Sequence, residues 1–277
     1  MLSPTPLTES TPSTQYVSDK PLIDTQAGAD HRNIAIDRVG VKNVRYPIQL
    51  KMQDGSLQST VAEFEMYVSL PAEERGTHMS RFVSVLNESD RVIDPASFQD
   101  LCESIQERLN APAASISMEC PFFLTKQAPV TGIESMMDYK LFLSASTEKG
   151  QESTMGVEVH GKSLCPCSKQ ISDYGAHNQR SKLTATVKTN APLHVEELIG
   201  LVEQAASSPL WSLLKRQDER HVTQLAYDNP KFVEDIVRDL AVALNEEDRV
   251  TWYSVSSENF ESIHNHEAFA SIERTKS

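Results

Sequence analysis

The chain has no apolar run approaching 18 residues, so no stretch is built to cross a bilayer as a helix. The segment MLSPTPLTESTPSTQYVSDK has neither the basic start nor the apolar core expected of a secretory signal. Cysteine is scarce: four residues at irregular spacing do not suggest a disulfide framework, which predicts a reducing, cytoplasmic setting. Basic residues are few as well. Against 39 Asp and Glu there are 26 Lys and Arg, a formal charge of −13, which excludes general affinity for nucleic acid. An anionic substrate would need a positive pocket built locally against that field. With 39% hydrophobic and 23% charged residues, the composition is that of an ordinary globular protein.

What is present falls into a tail and two similar halves. Residues 1–31 are rich in Ser, Thr and Pro without apolar periodicity, which predicts a disordered N-terminal tail. In residues 32–148, Val44, Tyr46, Ile48, Leu50 and Met52 alternate with polar residues, as in a half-buried strand. Asp54-Gly55 supplies a hairpin turn, and Ala62, Phe64, Met66, Val68 and Leu70 mark the returning strand. A helix is expected after Thr77, and a second after the Asp94-Pro95 cap. Strands are expected near 116–120 and 139–145. Residues 149–277 echo this order, with strands around 155–159 and 183–187, helical signals at 195–206 and a helix opened by Asn229-Pro230. Strands near 250–256 and 268–272 close it. The pattern predicts an α+β protein of two tandem ββααββ units, each an antiparallel sheet with helices on one face.

The chemistry-bearing residues cluster in the second half. Cys165 and Cys167 flank Pro166 in a polar segment, with His177 ten residues after Cys167. The spacing is not that of a redox or zinc-ribbon pair, and a closed structural zinc site would need a second pair. Cys102 and Cys120 cannot provide it, because both fall on expected core faces. Two small buried hydrophobes remain the bland alternative. A catalytic metal needs only three protein ligands, so one thiolate, His177 and a carboxylate elsewhere would suffice. In SSENFESIHNHEAF, Glu258, Glu261, His264 and His266 lie close together. On a strand, His264 and His266 would share a face, which suits acid–base or metal chemistry better than a solvated strand end. Lys215–Thr223, with Asp218 and Glu219, reads as a charged loop, and Glu234 reads as a carboxylate that complements a helix dipole. Arg75, His78 and Arg81 at a helix start fit either an anion site or a polar cap.

Four segments together resemble the prokaryotic type IB GTP cyclohydrolase I family: SLCPCSKQISDYGAHNQRS, PAEERGTHMSRFVSVL, NPKFVEDIVRDLA and SENFESIHNH. The resemblance spans roughly residues 31–274. It implies a tunnelling fold (T-fold), in which tandem ββααββ modules assemble into a barrel-like homotetramer with active sites between subunits. It implies a hydrolase that converts GTP and water to 7,8-dihydroneopterin triphosphate and formate, feeding folate or queuosine synthesis. The implied metal ligands are Cys165, His177 and Glu219, holding one divalent ion per site: zinc, manganese or iron. Cys167, Glu261, His264 and His266 fall on implied catalytic positions and Glu234 on a substrate position. Lys169, Arg180 and Arg81 are the cations available for a triphosphate. The alternatives are the NADPH-dependent nitrile reductase of the queuosine pathway, which shares the fold, and a non-catalytic purine- or pterin-binding module.

Overall fold

Alternation of apolar and polar residues produces the strands, and its strictness sets their length. In β2 (Leu57–Leu70), Ala62, Phe64, Met66, Val68 and Leu70 are all buried while the residues between them are not. Its partner β1 (Ile36–Lys51) pairs with it from Ile36–Leu70 to Lys51–Leu57. Gly55 closes the expected turn at φ 81°, a left-handed conformation that glycine adopts without steric cost. The computed structural model describes residues 24–26, 28–88 and 91–276. Most of the expected N-terminal tail therefore lies outside the described residues. From Asp24 to Asp30 the described chain runs along the loop that follows β2, with Gln26 donating to the Thr77 carbonyl and the Asp30 amide to that of Glu73.

The first half continues through α1 (Met79–Glu88), the short β3 (Val92–Ile93), α2 (Phe98–Leu109), β4 (Ala114–Gln127) and β5 (Glu134–Ser146). The second half runs β6 (Thr154–Leu164), α3 (Pro166–Ile171), β7 (Asn178–Thr189), α4 (Val195–Gln204), β8 (Ser208–Pro209), α5 (Arg216–Asp228), α6 (Val233–Glu246), β9 (Val250–Asn259) and β10 (Ala268–Thr275). All strands join one sheet in the order β10-β9-β7-β6-β5-β4-β2-β1-β3, with β8 against β6. Every pairing is antiparallel except β1 with β3. The two halves are fused by β5 and β6, paired from Lys140–Glu158 to Ser144–Thr154.

One face of this sheet is apolar and carries the helices. Phe64, Met118, Leu141, Val157, Leu183 and Val255 form a single buried cluster with Phe82, Ile105, Leu198, Ile236 and Leu240. Full burial of each such side chain contributes about 1.5–3 kcal/mol relative to exposure. The other face is polar and laced by cross-strand ion pairs, Arg45–Glu63, Lys140–Glu119 and Lys182–Glu258 among them.

Several local expectations need correction. Lys215–Thr223 is not a loop; most of it belongs to α5. Only Asp218, Val222 and Ala226 of that helix are buried, so its apolar signal was too thin to read. Asn229-Pro230 does not open α6. Asn229 caps the end of α5 and its amide donates to the carbonyls of Ala206 and Ser207, while α6 starts at Val233 with Asp235 capping the Phe232 amide. Asp94-Pro95 caps a single 3₁₀ turn, and α2 follows at Phe98.

Arg249 ties the helices to the sheet just before β9. Its guanidinium donates to both carboxyl oxygens of Glu247 at 2.7 and 2.8 Å and to those of Glu197 at 3.0 and 3.3 Å. Glu197 also caps α4 by accepting from the His194 amide. The hydrogen bond from Arg249 is the chief reason that Glu247 titrates near about 2, and it lowers Glu197 as well. Depressed carboxylates stabilise the fold in full above their unfolded value, about 4.3 for glutamate, and lose that contribution as the pH falls through the folded value. Arg249→Gln should therefore lower the urea midpoint at neutral pH, with the gap to the unsubstituted chain closing toward about pH 2. A gap that stays constant across that range would show that the clamp is not the source.

Candidate active site

The strand registers place four loops at one end of the sheet. Leu164 of β6 pairs with Asn178 of β7, and Ser181 of β7 with Asn259 of β9. The loops β6–β7, with Cys165 and His177, and β9–β10, with Glu261, His264 and His266, are thus neighbours, joined by the Phe260 amide donating to the Arg180 carbonyl. The β4–β5 turn and the β1–β2 turn open at the same strand ends.

The Cys-Pro-Cys segment is shaped by its own backbone. β6 stops at Leu164, and Pro166 takes the first position of α3, where its missing N–H costs nothing. The Cys165 sulfur accepts from the Ser168 amide at 3.4 Å, and the Cys165 amide donates to the His177 carbonyl at 3.1 Å. The Ser168 hydroxyl completes the link. It donates to the Cys165 carbonyl and accepts from the His177 amide, both at 3.2 Å. Cys165 is half-buried and Cys167 is exposed, so the two thiols stand in different surroundings. Cys102 and Cys120 are buried in the core, where burial pushes their thiols up to about 11 and about 12.

The His177 ring sits over a buried polar strip. Its Nδ1 lies 3.0 Å from Gln179 Oε1 and 3.7 Å from Glu261 Oε2. Gln179 Nε2 donates to Ser163 Oγ at 2.5 Å. Next to them, the Ser181 hydroxyl donates to Asn259 Oδ1 at 2.6 Å, with Ser257 alongside. All five of these polar residues are buried. On β6, β7 and β9 the helix-facing side thus changes from apolar to polar as it nears the site. Gln179 and Ser163 escaped the sequence reading. The available signal was a glutamine two residues before Ser181 on the same alternating face as Leu183 and Ala185.

Two helix starts approach the same end. Asp218, fully buried at the start of α5, accepts from the amides of Val130, Thr131 and Lys215 at 2.9 Å and from the Thr131 hydroxyl at 2.7 Å. Burial alone would raise this carboxyl, but the hydrogen bonds outweigh it and hold it well below the usual range. Asp218 so fixes α5 to the β4–β5 turn, and the next residue, Glu219, is left exposed. The Lys231 amide donates to the Leu164 carbonyl and brings the start of α6, with exposed Glu234, to the strand end that carries Cys165.

Not every expected residue converges. His264 and His266 lie in the β9–β10 loop rather than on a strand. They still face each other, stacked with ring centroids 5.0 Å apart, because the loop turns rather than because side chains alternate. The Lys169 ammonium donates to the Tyr227 carbonyl and lies 4.2 Å from the centre of the Tyr227 ring. Arg180 is exposed on β7. Arg81 stands at the start of α1, beyond the opposite end of β2. Among the described residues, no three His, Cys, Asp or Glu side chains are gathered closely enough to hold a metal. The chain by itself sets Glu261 beside the His177 ring and ties Cys165 to His177 through backbone atoms and Ser168; Glu219 takes no part in these contacts.

A largely antiparallel sheet with helices on one face and an imidazole, thiols and carboxylates at one end defines an α+β protein of the tunnelling-fold type. The solved urate oxidase from Bacillus sp. TB-90 has the same kind of fold, with a TM-score of 0.50 over 87% of this chain and 100% of that one at 8% identity. The family model described as type I GTP cyclohydrolase folE2 matches residues 22–270. Curated relatives named GTP cyclohydrolase FolE2 include one from Nitrosomonas eutropha, 51% identical over 94% of this chain and 98% of its own length. Another, from Nitrosococcus oceani, is 51% identical over 93% and 97%. The chain belongs to the type I GTP cyclohydrolase FolE2 family, the type IB branch.

Proposed function

We propose that the chain is a GTP cyclohydrolase that hydrolyses GTP to 7,8-dihydroneopterin triphosphate and formate at the head of folate biosynthesis. The observation that carries the site reading is the Ser168 bridge, which fastens Cys165 to His177 at the end of β6. Their donor atoms suit a borderline divalent ion: a thiol, and an imidazole with only Nδ1 engaged by Gln179. Cys165, His177 and Glu219 would hold zinc, manganese or iron. When bound, such an ion lowers the pKa of water toward neutrality, which attack on the weakly electrophilic guanine C8 requires.

The chain's own residues supply the rest. Cys167, exposed one residue beyond Pro166, faces the substrate. Glu234 accepts the paired N–H groups of the guanine edge. His264 and His266 move protons in ring opening, formate release and ring closure. Glu261, beside His177, belongs to the same proton-handling set. Lys169 and Arg180 from this chain, and Arg81 from another subunit, meet the triphosphate. Arg81 lies at the far end of its own sheet, which favours this sharing between subunits. Two tandem ββααββ modules per chain assemble into a barrel-like homotetramer. The polar sheet face and the exposed Ile171, Tyr174 and Ile263 around the site loops support a partner there. No helix among the described residues is long and apolar enough to cross a membrane, and the free thiols suit a cytoplasmic setting.

The decisive assay gives metal-stripped protein GTP and single divalent metals, and follows formate and the fluorescent oxidised neopterin. Metal-independent NADPH consumption would identify a nitrile reductase instead, and GTP binding without formate a binding module. Cys165→Ala should lose metal, whereas Cys167→Ala should keep it and lose turnover. Equal metal content in the two purified variants ends that division of labour. Replacing His264 or His266 with Ala should lower kcat by about 10²–10⁴-fold with metal content intact. A near-normal kcat with a lower melting temperature would mean the imidazole only packs. Light scattering should give four times the chain mass of 30.9 kDa, and a fully active monomer refutes the assembly.

A further inference from the structure

We infer that Gln179 is a positioning residue that holds His177 as its Nδ1–H tautomer, leaving Nε2 as the free nitrogen. The inference deepens the proposed site and rests on the reading of His177 as a metal ligand.

Three observations lead to it. First, Gln179 is 8% exposed on the helix-facing side of β7, where the next residues in line, Ser181, Leu183 and Ala185, are also buried. A primary amide in that place is costly unless both of its ends are paired. Second, both ends are paired: Oε1 with His177 Nδ1 at 3.0 Å and Nε2 with Ser163 Oγ at 2.5 Å. Ser163 is wholly buried, so its hydroxyl is a fixed stop at the back of the amide. Third, the Glu261 carboxylate lies 3.7 Å from the same Nδ1.

The carboxylate decides the direction of the chain. A hydroxyl donates or accepts, so Ser163 alone allows either orientation of the amide. A carboxylate only accepts. A lone pair on Nδ1 would be set against Glu261, whereas an Nδ1 proton satisfies it and calls for the amide oxygen on the other side. The amide N–H then has to point at Ser163. Nε2 keeps its lone pair, the form in which an imidazole binds a metal. An imidazole free in water favours the opposite tautomer, so this arrangement prepares the ligand before an ion arrives. Because Gln179 is the second residue of β7 and pairs in register with Ser163 of β6, its amide is held by the register of the two strands rather than by a loop.

The test uses the full-length protein with ¹⁵N-labelled histidine, and assigns the His177 ring by the signals lost in His177→Ala. Without added metal, the ring should show protonated Nδ1 and unprotonated Nε2. Gln179→Leu, which leaves Nδ1 only the more distant Glu261, should raise the share of the Nε2–H tautomer and weaken Zn²⁺ binding by about 10–100-fold. Gln179→Glu, which keeps an acceptor at the same reach, should restore the Nδ1–H signature. Ser163→Ala, which frees the back of the amide, should give a mixture of tautomers and serves if the leucine variant does not fold. An Nε2–H ring in the unsubstituted protein, or spectra unchanged in both Gln179→Leu and Ser163→Ala, overturns the inference. If the tautomer shifts as stated but neither Gln179→Leu nor His177→Ala alters Zn²⁺ affinity, the positioning role stands and the metal reading fails.

Discussion

The pairing of β5 with β6 is the joint on which the rest of the molecule depends. Each half has an apolar sheet face with its own helices, and edge-to-edge pairing from Lys140–Glu158 to Ser144–Thr154 turns two layers into one. The core then runs without a break from Phe64 to Val255. The same register brings the start of β5 beside the end of β6 and so sets the β4–β5 turn next to the Cys-Pro-Cys loop. Without that register, Asp218 on α5 would have no Val130 and Thr131 amides to meet.

The site grows out of a change of character along three strands. Toward one end, β6, β7 and β9 fill the space under the helices with Val157, Val159, Leu183, Ala185, Tyr253 and Val255. Toward the other, the same faces carry Ser163, Gln179, Ser181, Ser257 and Asn259, paired among themselves. Apolar side chains tolerate small shifts in packing, but a buried hydrogen-bonded set has few alternative arrangements. The polar strip is therefore a rigid seat for His177, and the Ser168 bridge extends that rigidity to Cys165.

Much of this was legible in the sequence, for identifiable reasons. The long strands announced themselves by alternation, and the motif around Cys165, His177 and the ENFESIHNH segment carried the family with it. What escaped depends on contacts between distant segments. The repeat of ββααββ order said nothing of β5 meeting β6, because strand pairing is a non-local choice. α5 was hidden because one of its three buried positions is a charged aspartate most of whose donors lie in the distant β4–β5 turn. His264 and His266 were placed together for the wrong reason, since their spacing of two is met by a turning loop as well as by a strand. Gln179 drew no reading from the sequence, and only the fold reveals the serine behind it and the imidazole in front.

The grip of Asp218 on the β4–β5 turn reaches into ancestry. The carboxylate belongs to one half of the chain and most of its donors to the other, so neither half is a self-sufficient heirloom. A fragment ending before β6 would leave two amides without their acceptor, and one beginning there would bury an anion with little to answer it. The two halves are thus bound into a single inheritance. Recombination that exchanged one half for a stranger's would have to bring both the aspartate and its matching turn, or neither.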